Sequence, residues 1–222
     1  MNELLESLNI KPKNIELYEQ AFTHTSYMHE NNLNSSYETL EFLGDAIVDL
    51  VVSDYLYKNN NYNEGEMTKI RASYVCENAL YEYAMDLDFS KYIKVGVGEK
   101  KHGGTYKKAI VADVFEAFIA AIYLDLGFEK CKDVCTKIIA PYIENKSIHF
   151  FDDYKSVLQE ALQTTKKSFE YVLLEEDGPA HDKTFKMAIV ADGITLGVGT
   201  GPSKKEAEQN AAKEALKKLA KK

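Results

Sequence analysis

Two stretches of the chain place acidic residues among apolar ones at spacings that fit a helix. In Tyr37–Val52, a turn of about 100° per residue gathers Glu38, Glu41, Asp45 and Asp49 into one narrow stripe and leaves apolar side chains over most of the remaining circumference. Ala109–Leu124 is apolar on every face except at Asp113 and Glu116, which are three apart and therefore neighbours. The pattern predicts two buried helices, each carrying carboxylates.

Around them the chain reads as helices joined by short polar segments. Residues 2–9 and 14–22 predict short helices separated by Lys11-Pro12-Lys13. Ser35 and Glu38, three apart, are spaced for a capping box at the head of the first acidic helix. A polar turn over 58–63 precedes a helix opening at Glu64, helical character continues over 72–89, and 129–144 makes one more helix. Val95–Gly104, rich in glycine, reads as a mobile loop.

From Tyr154 the periodicity changes. A helix through Gln163 is followed by strands over 168–176, 184–191 and 194–200, with Asp192-Gly193 as a two-residue hairpin turn, and by a last helix from about Ser203. The fold class expected is a mainly α N-terminal domain over 1–146, a linker over 147–152 and a small α+β domain of α-β-β-β-α order over 153–222.

Charge refines the division. The net charge is −8, yet all of it belongs to residues 1–150, where 15 basic residues face 23 acidic ones; the remainder has 12 of each. From Ser203 onward seven Lys face three Glu, a local basic excess suited to phosphate contact. Arg71 is the sole arginine, so phosphates must be met by lysine point charges. Cys76, Cys131 and Cys135 lack metal-ligand spacing to His or further Cys and read as small core residues. With no basic leader ahead of an apolar run and no membrane-length apolar segment, the expectation is a cytoplasmic protein without a membrane partner.

The two acidic helices carry the candidate chemistry. Burying a bare carboxylate costs several kcal/mol, so these groups should be protonated, paired or bound to a cation. Neither stretch contains Lys or His. A hard divalent ion held by oxygens from both helices, Mg²⁺ by preference, is the simplest expectation. Glu38 reads equally as a cap residue, Glu64 equally as ordinary first-turn charge, and His24 as a structural hydrogen-bonding residue. The Gly-rich loop lacks the Lys-Ser or Lys-Thr of a nucleotide-binding loop.

Three motifs in this order resemble a known family. Glu38-x-x-Glu41-Phe42-Leu43-Gly44-Asp45 resembles the signature of bacterial ribonuclease III, and Ala112-Asp113-x-x-Glu116-Ala117 its second acidic motif. Leu158-Gln159-Glu160, Gly178-Pro179-Ala180-His181 and Ser203-Lys204-Lys205 resemble the contact points of a double-stranded-RNA-binding domain. The resemblance implies a homodimeric endonuclease that cuts double-stranded RNA to 5′-phosphate and 3′-hydroxyl ends with short 3′ overhangs, in processing ribosomal RNA precursors and other structured transcripts.

It further implies Glu41, Asp45, Asp113 and Glu116 as catalytic metal ligands for two Mg²⁺ ions per site, with Mn²⁺ as a substitute. Glu38 and Glu64 would be substrate-linked acids, and Phe42 and Gly44 would lie at the dimer interface. Gln159, Glu160, Pro179, His181, Ser203, Lys204 and Lys205 would meet RNA, with Lys100, Lys101, Lys107 and Lys108 near its backbone. Glu206 and Glu208 depart from the family's lysine-rich turn and point to modest affinity. The rival reading is a catalytically silent dimer that only binds RNA.

Overall fold

The computed structural model describes residues 1–59, 62–145, 150, 154–163, 168–179 and 183–219, and at 156, 157, 160, 161 and 163 the backbone alone. The chain forms two compact units, Met1–Phe151 and Asp152–Lys222. The linker expected over 147–152 falls, apart from Phe150, outside the described residues.

The first unit is helical: α1 (Asn2–Ser7), α2 (Ile15–Ala21), α3 (Thr25–Glu30), α4 (Glu38–Lys58), α5 (Glu64–Tyr74), α6 (Glu77–Asp86), α7 (Val97–Lys101), α8 (Lys108–Leu126) and α9 (Phe128–Glu144). At its centre stands α8, in which every apolar residue from Ile110 to Ile122 is buried. Its sequence is apolar nearly all round because α2, α4, α6 and α9 surround it. Phe22, Phe89 and Phe118 interlock within this core, with ring centroids 4.9 to 5.8 Å apart in tilted and edge-on contacts. At the far end of α8, Asp125 accepts hydrogen bonds from the Lys13 and Asn14 amides and the Tyr18 hydroxyl, fixing the start of α2.

Only one face of α4 is buried. Leu40, Gly44, Ile47, Val48, Val51, Val52 and Leu56, spaced by threes and fours, pack inward against α8. Phe42, Asp45, Ala46, Leu50 and Tyr57 are exposed, so the expectation of a helix buried all round is corrected to a half-buried one.

Three local expectations also change. The capping box at Ser35 and Glu38 does not form, because the Tyr37 amide is taken by the Thr23 carbonyl at 2.9 Å and Tyr37 itself becomes the N-cap, with no side-chain cap bond. A capping box forms instead at Asn63 and Glu66, at the head of α5. Residues 72–89 are not one helix: the backbone extends at Cys76, and the buried Tyr83 hydroxyl donates to the freed Tyr74 carbonyl at 3.1 Å. Within Val95–Gly104 the chain is not a loose loop but the short α7, anchored by the Gly96 amide on Ser26 Oγ, the Val97 amide on the Glu30 carboxylate, and Lys107 on Glu99 at 2.5 Å.

The second unit has the expected order: α10 (Tyr154–Gln163), β1 (Phe169–Asp177), β2 (Thr184–Ala191), β3 (Ile194–Gly201) and α11 (Lys204–Leu219). The strands form an antiparallel sheet in the order β1-β2-β3, and Ala191 pairs with Ile194 across the Asp192-Gly193 turn. Its core is Leu158, Leu162, Ile189, Ala212 and Ala215. Small residues let α11 lie directly on β3, with Ala207, Ala211 and Ala215 buried against Gly197 and Gly199.

Candidate active site

The crossing of α4 and α8 positions the acidic residues. Gly44 faces the α8 backbone so closely that a Cβ would stand 1.9 Å from the Glu116 carbonyl oxygen. Four acids flank that contact, Asp45 beside Gly44 and Glu41 one turn before it on α4, with Glu116 itself and Asp113 one turn before it on α8, and they share one electrostatic neighbourhood. Burial, followed by the charges of Asp45, Asp113, Glu41 and Asp49, pushes the Glu116 carboxyl up to about 8. Glu41 is raised by burial and then by Asp113, Glu38 and Asp45. Asp113 is raised chiefly by burial, opposed by a hydrogen bond from Tyr37, whose hydroxyl donates to Oδ2 at 3.1 Å.

The setting is more open than a buried seam. Glu41, Asp113 and Glu116 are half-buried, and Asp45 is exposed. None of the four has an ion-pair partner among the described residues. No three His, Cys, Asp or Glu side chains among the described residues converge closely enough to hold a metal ion. The chemistry of the set nonetheless fits a hard divalent cation: four carboxylates supply only oxygen donors, and their mutual repulsion is relieved by positive charge placed among them.

Other expected residues lie elsewhere. Glu38 is exposed, with the Ser36 hydroxyl 3.4 Å from its carboxylate, and belongs to the neighbourhood through its effect on Glu41. Glu64 is exposed, accepts from the Thr68 hydroxyl, and lines a cleft of about 380 Å³ with Leu50, Tyr57, Met67 and Arg71, a cleft that none of the four acids lines. Phe42 stands 84% exposed. Gly44, expected at the dimer interface, is buried within its own chain in the α4–α8 crossing, against the Glu116 backbone. His24 caps α3 by accepting the Ser26 amide at its Nδ1, a structural role.

Two residues of this neighbourhood were not singled out from sequence. Tyr37 opens the first acidic helix, and a tyrosine one residue ahead of an acidic stripe was the available signal. Glu77, at the head of α6, raises Asp113 by its charge, and nothing in its sequence neighbourhood marks it.

In the second unit, Gln159, Pro179, Ser203, Lys204 and Lys205 are exposed, while the Glu160 side chain and His181 fall outside the described residues. Ser203 Oγ accepts the Glu206 amide, and the Lys204 ammonium lies 5.8 Å from the centre of the Phe185 ring. In the first unit, Lys107 is held by Glu99 and Lys108 by Asn78, leaving Lys100 and Lys101 exposed on α7.

Comparison with known proteins matches this division. Residues 14–143 match a family model described as ribonuclease-III-like, and residues 154–219 match the double-stranded RNA binding motif. A protein named Ribonuclease 3 from Listeria monocytogenes is 47% identical over 221 residues, covering 98% of this chain and 96% of its own. Another of that name, from Onion yellows phytoplasma, is 46% identical over 219 residues, covering 98% of this chain and 91% of its own. The solved nuclease domain of ribonuclease III from Campylobacter jejuni, described for flexibility in a region involved in dimer formation, superposes with a TM-score of 0.59 at 37% identity. It covers 66% of this chain and 98% of its own.

Proposed function

The chain belongs to the ribonuclease III family and carries a double-stranded RNA binding motif behind its nuclease domain, and from that premise we propose that Glu41, Asp45, Asp113 and Glu116 form the catalytic centre of an endonuclease acting on double-stranded RNA. The observation that carries this reading is the group of carboxylates that α4 and α8 bring into one neighbourhood, in which Glu116 is pushed to about 8 without a cationic partner among the described residues.

The family is metal-dependent, and here the proposed ion is Mg²⁺, two per site, with Mn²⁺ able to replace it. When bound, such an ion supplies Lewis-acid charge for an attacking water and for the leaving 3′ oxygen of an in-line displacement. The chain's own work is positional. Packing of α4 on α8 holds Glu41 and Asp45 beside Asp113 and Glu116, and the exposure of Asp45 leaves that side of the group open to a phosphodiester. The products are 5′-phosphate and 3′-hydroxyl ends with short 3′ overhangs, and the substrates are ribosomal RNA precursors and other structured transcripts in the cytoplasm. Among the described residues no helix is long and apolar enough to cross a membrane.

Substrate capture belongs to the second unit. Its α10 face at Gln159 and the β1–β2 loop at Pro179 and His181 suit the minor grooves of A-form RNA, and Lys204 and Lys205 at the head of α11 suit phosphates across the intervening groove. Such a module spans about 16 base pairs and reads shape more than sequence. The assembly is a homodimer. Phe42, 84% exposed, Leu50, 54%, and Tyr57, 79%, make an apolar stripe on α4 that a second copy would cover, with Phe42 entering the partner's cleft beside Glu64.

The test is Glu116→Gln. Duplex RNA should shift in a gel as with the unmodified protein, while Mg²⁺-dependent cleavage is abolished. Normal turnover by the variant would sink the assignment. An unmodified protein that shifts duplex RNA and never cuts it with Mg²⁺ would establish the binding-only alternative.

A further inference from the structure

We infer that Tyr37 is a positioning residue for Asp113: its hydroxyl occupies one carboxylate oxygen and so fixes the orientation in which the other is offered to the divalent ion. The inference rests on the reading of Asp113 as an ion ligand given above.

Three observations converge on it. The ring cannot swing, because Tyr37 is 4% exposed, packs with its centroid 5.7 Å from that of His24, and sits on a backbone pinned at both ends. Its amide donates to the Thr23 carbonyl at 2.9 Å, and its own carbonyl accepts the Leu40 and Glu41 amides at 2.8 and 2.9 Å. From this mount the hydroxyl reaches Asp113 Oδ2 at 3.1 Å, across 76 residues of sequence, joining the first turn of α4 to α8. The second oxygen, Oδ1, has no hydrogen bond among the described residues.

Core packing alone does not account for the hydroxyl. A phenylalanine would fill the same space, and a buried phenol needs only some acceptor, for which a backbone carbonyl would serve. Here the acceptor is one of the four acids. A carboxylate held by a single donor on one oxygen loses rotational freedom, and the benefit appears when the other oxygen must meet an ion at fixed geometry.

The experiment uses the full chain and Tyr37→Phe, which removes one oxygen and keeps the ring. Mn²⁺ binding to the RNA-free protein, read from the paramagnetic resonance signal of free Mn²⁺, should weaken about tenfold, the effect expected of a hydrogen bond to a charged group. The metal concentration for half-maximal cleavage should rise by the same factor. KM for duplex RNA should stay near that of the unmodified protein, which separates the effect on the metal from any effect on RNA binding.

In an Asp113→Asn background, Tyr37→Phe should have no further effect on Mn²⁺ binding. Unchanged Mn²⁺ affinity in Tyr37→Phe alone, or a second tenfold loss in the double variant, would overturn the inference while leaving Asp113 a ligand. If Asp113→Asn itself bound Mn²⁺ and cleaved RNA normally, the reading of Asp113 would fall first.

Discussion

Gly44 and Glu116 meet as backbone against backbone, with space between them for a hydrogen but not for a methyl group, since a Cβ on Gly44 would lie 1.9 Å from the Glu116 carbonyl oxygen and 2.9 Å from its α-carbon. Two helices that bring carboxylates together must repel at those carboxylates, and this crossing is what holds them close. Two effects oppose each other in Gly44→Ala. Alanine favours a helix over glycine by about 1 kcal/mol. Overpacking costs typically 1–3 kcal/mol, and more where the obstacle is the backbone of a buried helix that cannot rotate away. The clash should win. Gly44→Ala should unfold at lower denaturant concentration than the parent, and any folded fraction should cleave RNA poorly because α4 has moved off α8. A variant as stable and active as the parent would show that the crossing opens freely.

That contact marks how far the sequence could be read. A glycine inside an apolar helix implies a close neighbour, and the neighbour exists; the sequence could not say whether it belonged to the same chain or to a partner. The element order of both units was legible because apolar spacing sets it. The degree of burial was not: Asp45 and Phe42 lie on a helix whose apolar residues cover most of its circumference, yet they face outward, because burial depends on which neighbours arrive and α8 covers one side only. The short α7 was hidden in a Gly-rich segment because it is held by residues far off in sequence, Ser26 and Glu30. Tyr37 escaped notice for the same reason, its partner being 76 residues away.

The raised carboxyls give the metal-free protein a pH dependence of unusual sign. For Glu116 the folded-state value of about 8 lies above the ordinary 4.5, so the folded form binds the proton more tightly than the unfolded form. Stability therefore falls as pH rises from about 4.5 to about 8, and Glu41 and Asp113, raised in the same direction, act alike. Denaturant midpoints measured in chelator should decline across that window, and Glu116→Gln should flatten the decline. A parent protein whose stability rises steadily between pH 5 and 8 would contradict the burial and repulsion assigned to these groups.

Phe42 separates one chain from two. At 84% exposure its ring contributes little to the fold of a single chain, so Phe42→Ala should leave monomer stability nearly unchanged. Covered by a partner, the same ring is worth about 1.5–3 kcal/mol, and a symmetric dimer loses two of them, which corresponds to roughly a 10²- to 10⁴-fold weaker dimer. Sedimentation across a dilution series should show the variant dissociating at concentrations where the parent remains paired. Equal dissociation constants would remove Phe42 from the interface.

The acids of α11 test what sets RNA affinity. Glu208 holds the Lys155 ammonium at 2.5 Å, and its neighbour Gln209 accepts the Lys155 amide at 3.1 Å, so together they fasten the head of α10 to α11. The same ammonium lies 4.7 Å from the centre of the Tyr171 ring. A lysine so engaged is not offered to a phosphate, which gives the departure from a lysine-rich turn a structural purpose and a cost in binding. With both partners partly exposed, the pair is worth under about 1 kcal/mol to the fold, so Glu208→Gln should be tolerated. It should tighten duplex RNA binding about two- to threefold near 0.1 M salt and steepen the dependence of log K on log salt by up to about one unit, the signature of one more phosphate contact. Lys204→Ala with Lys205→Ala should act in the opposite direction, weakening binding alike across duplex sequences and making the slope shallower. If Glu208→Gln left both affinity and slope unchanged, Lys155 would be held by the Tyr171 ring rather than by the carboxylate, and the modest affinity would need another source.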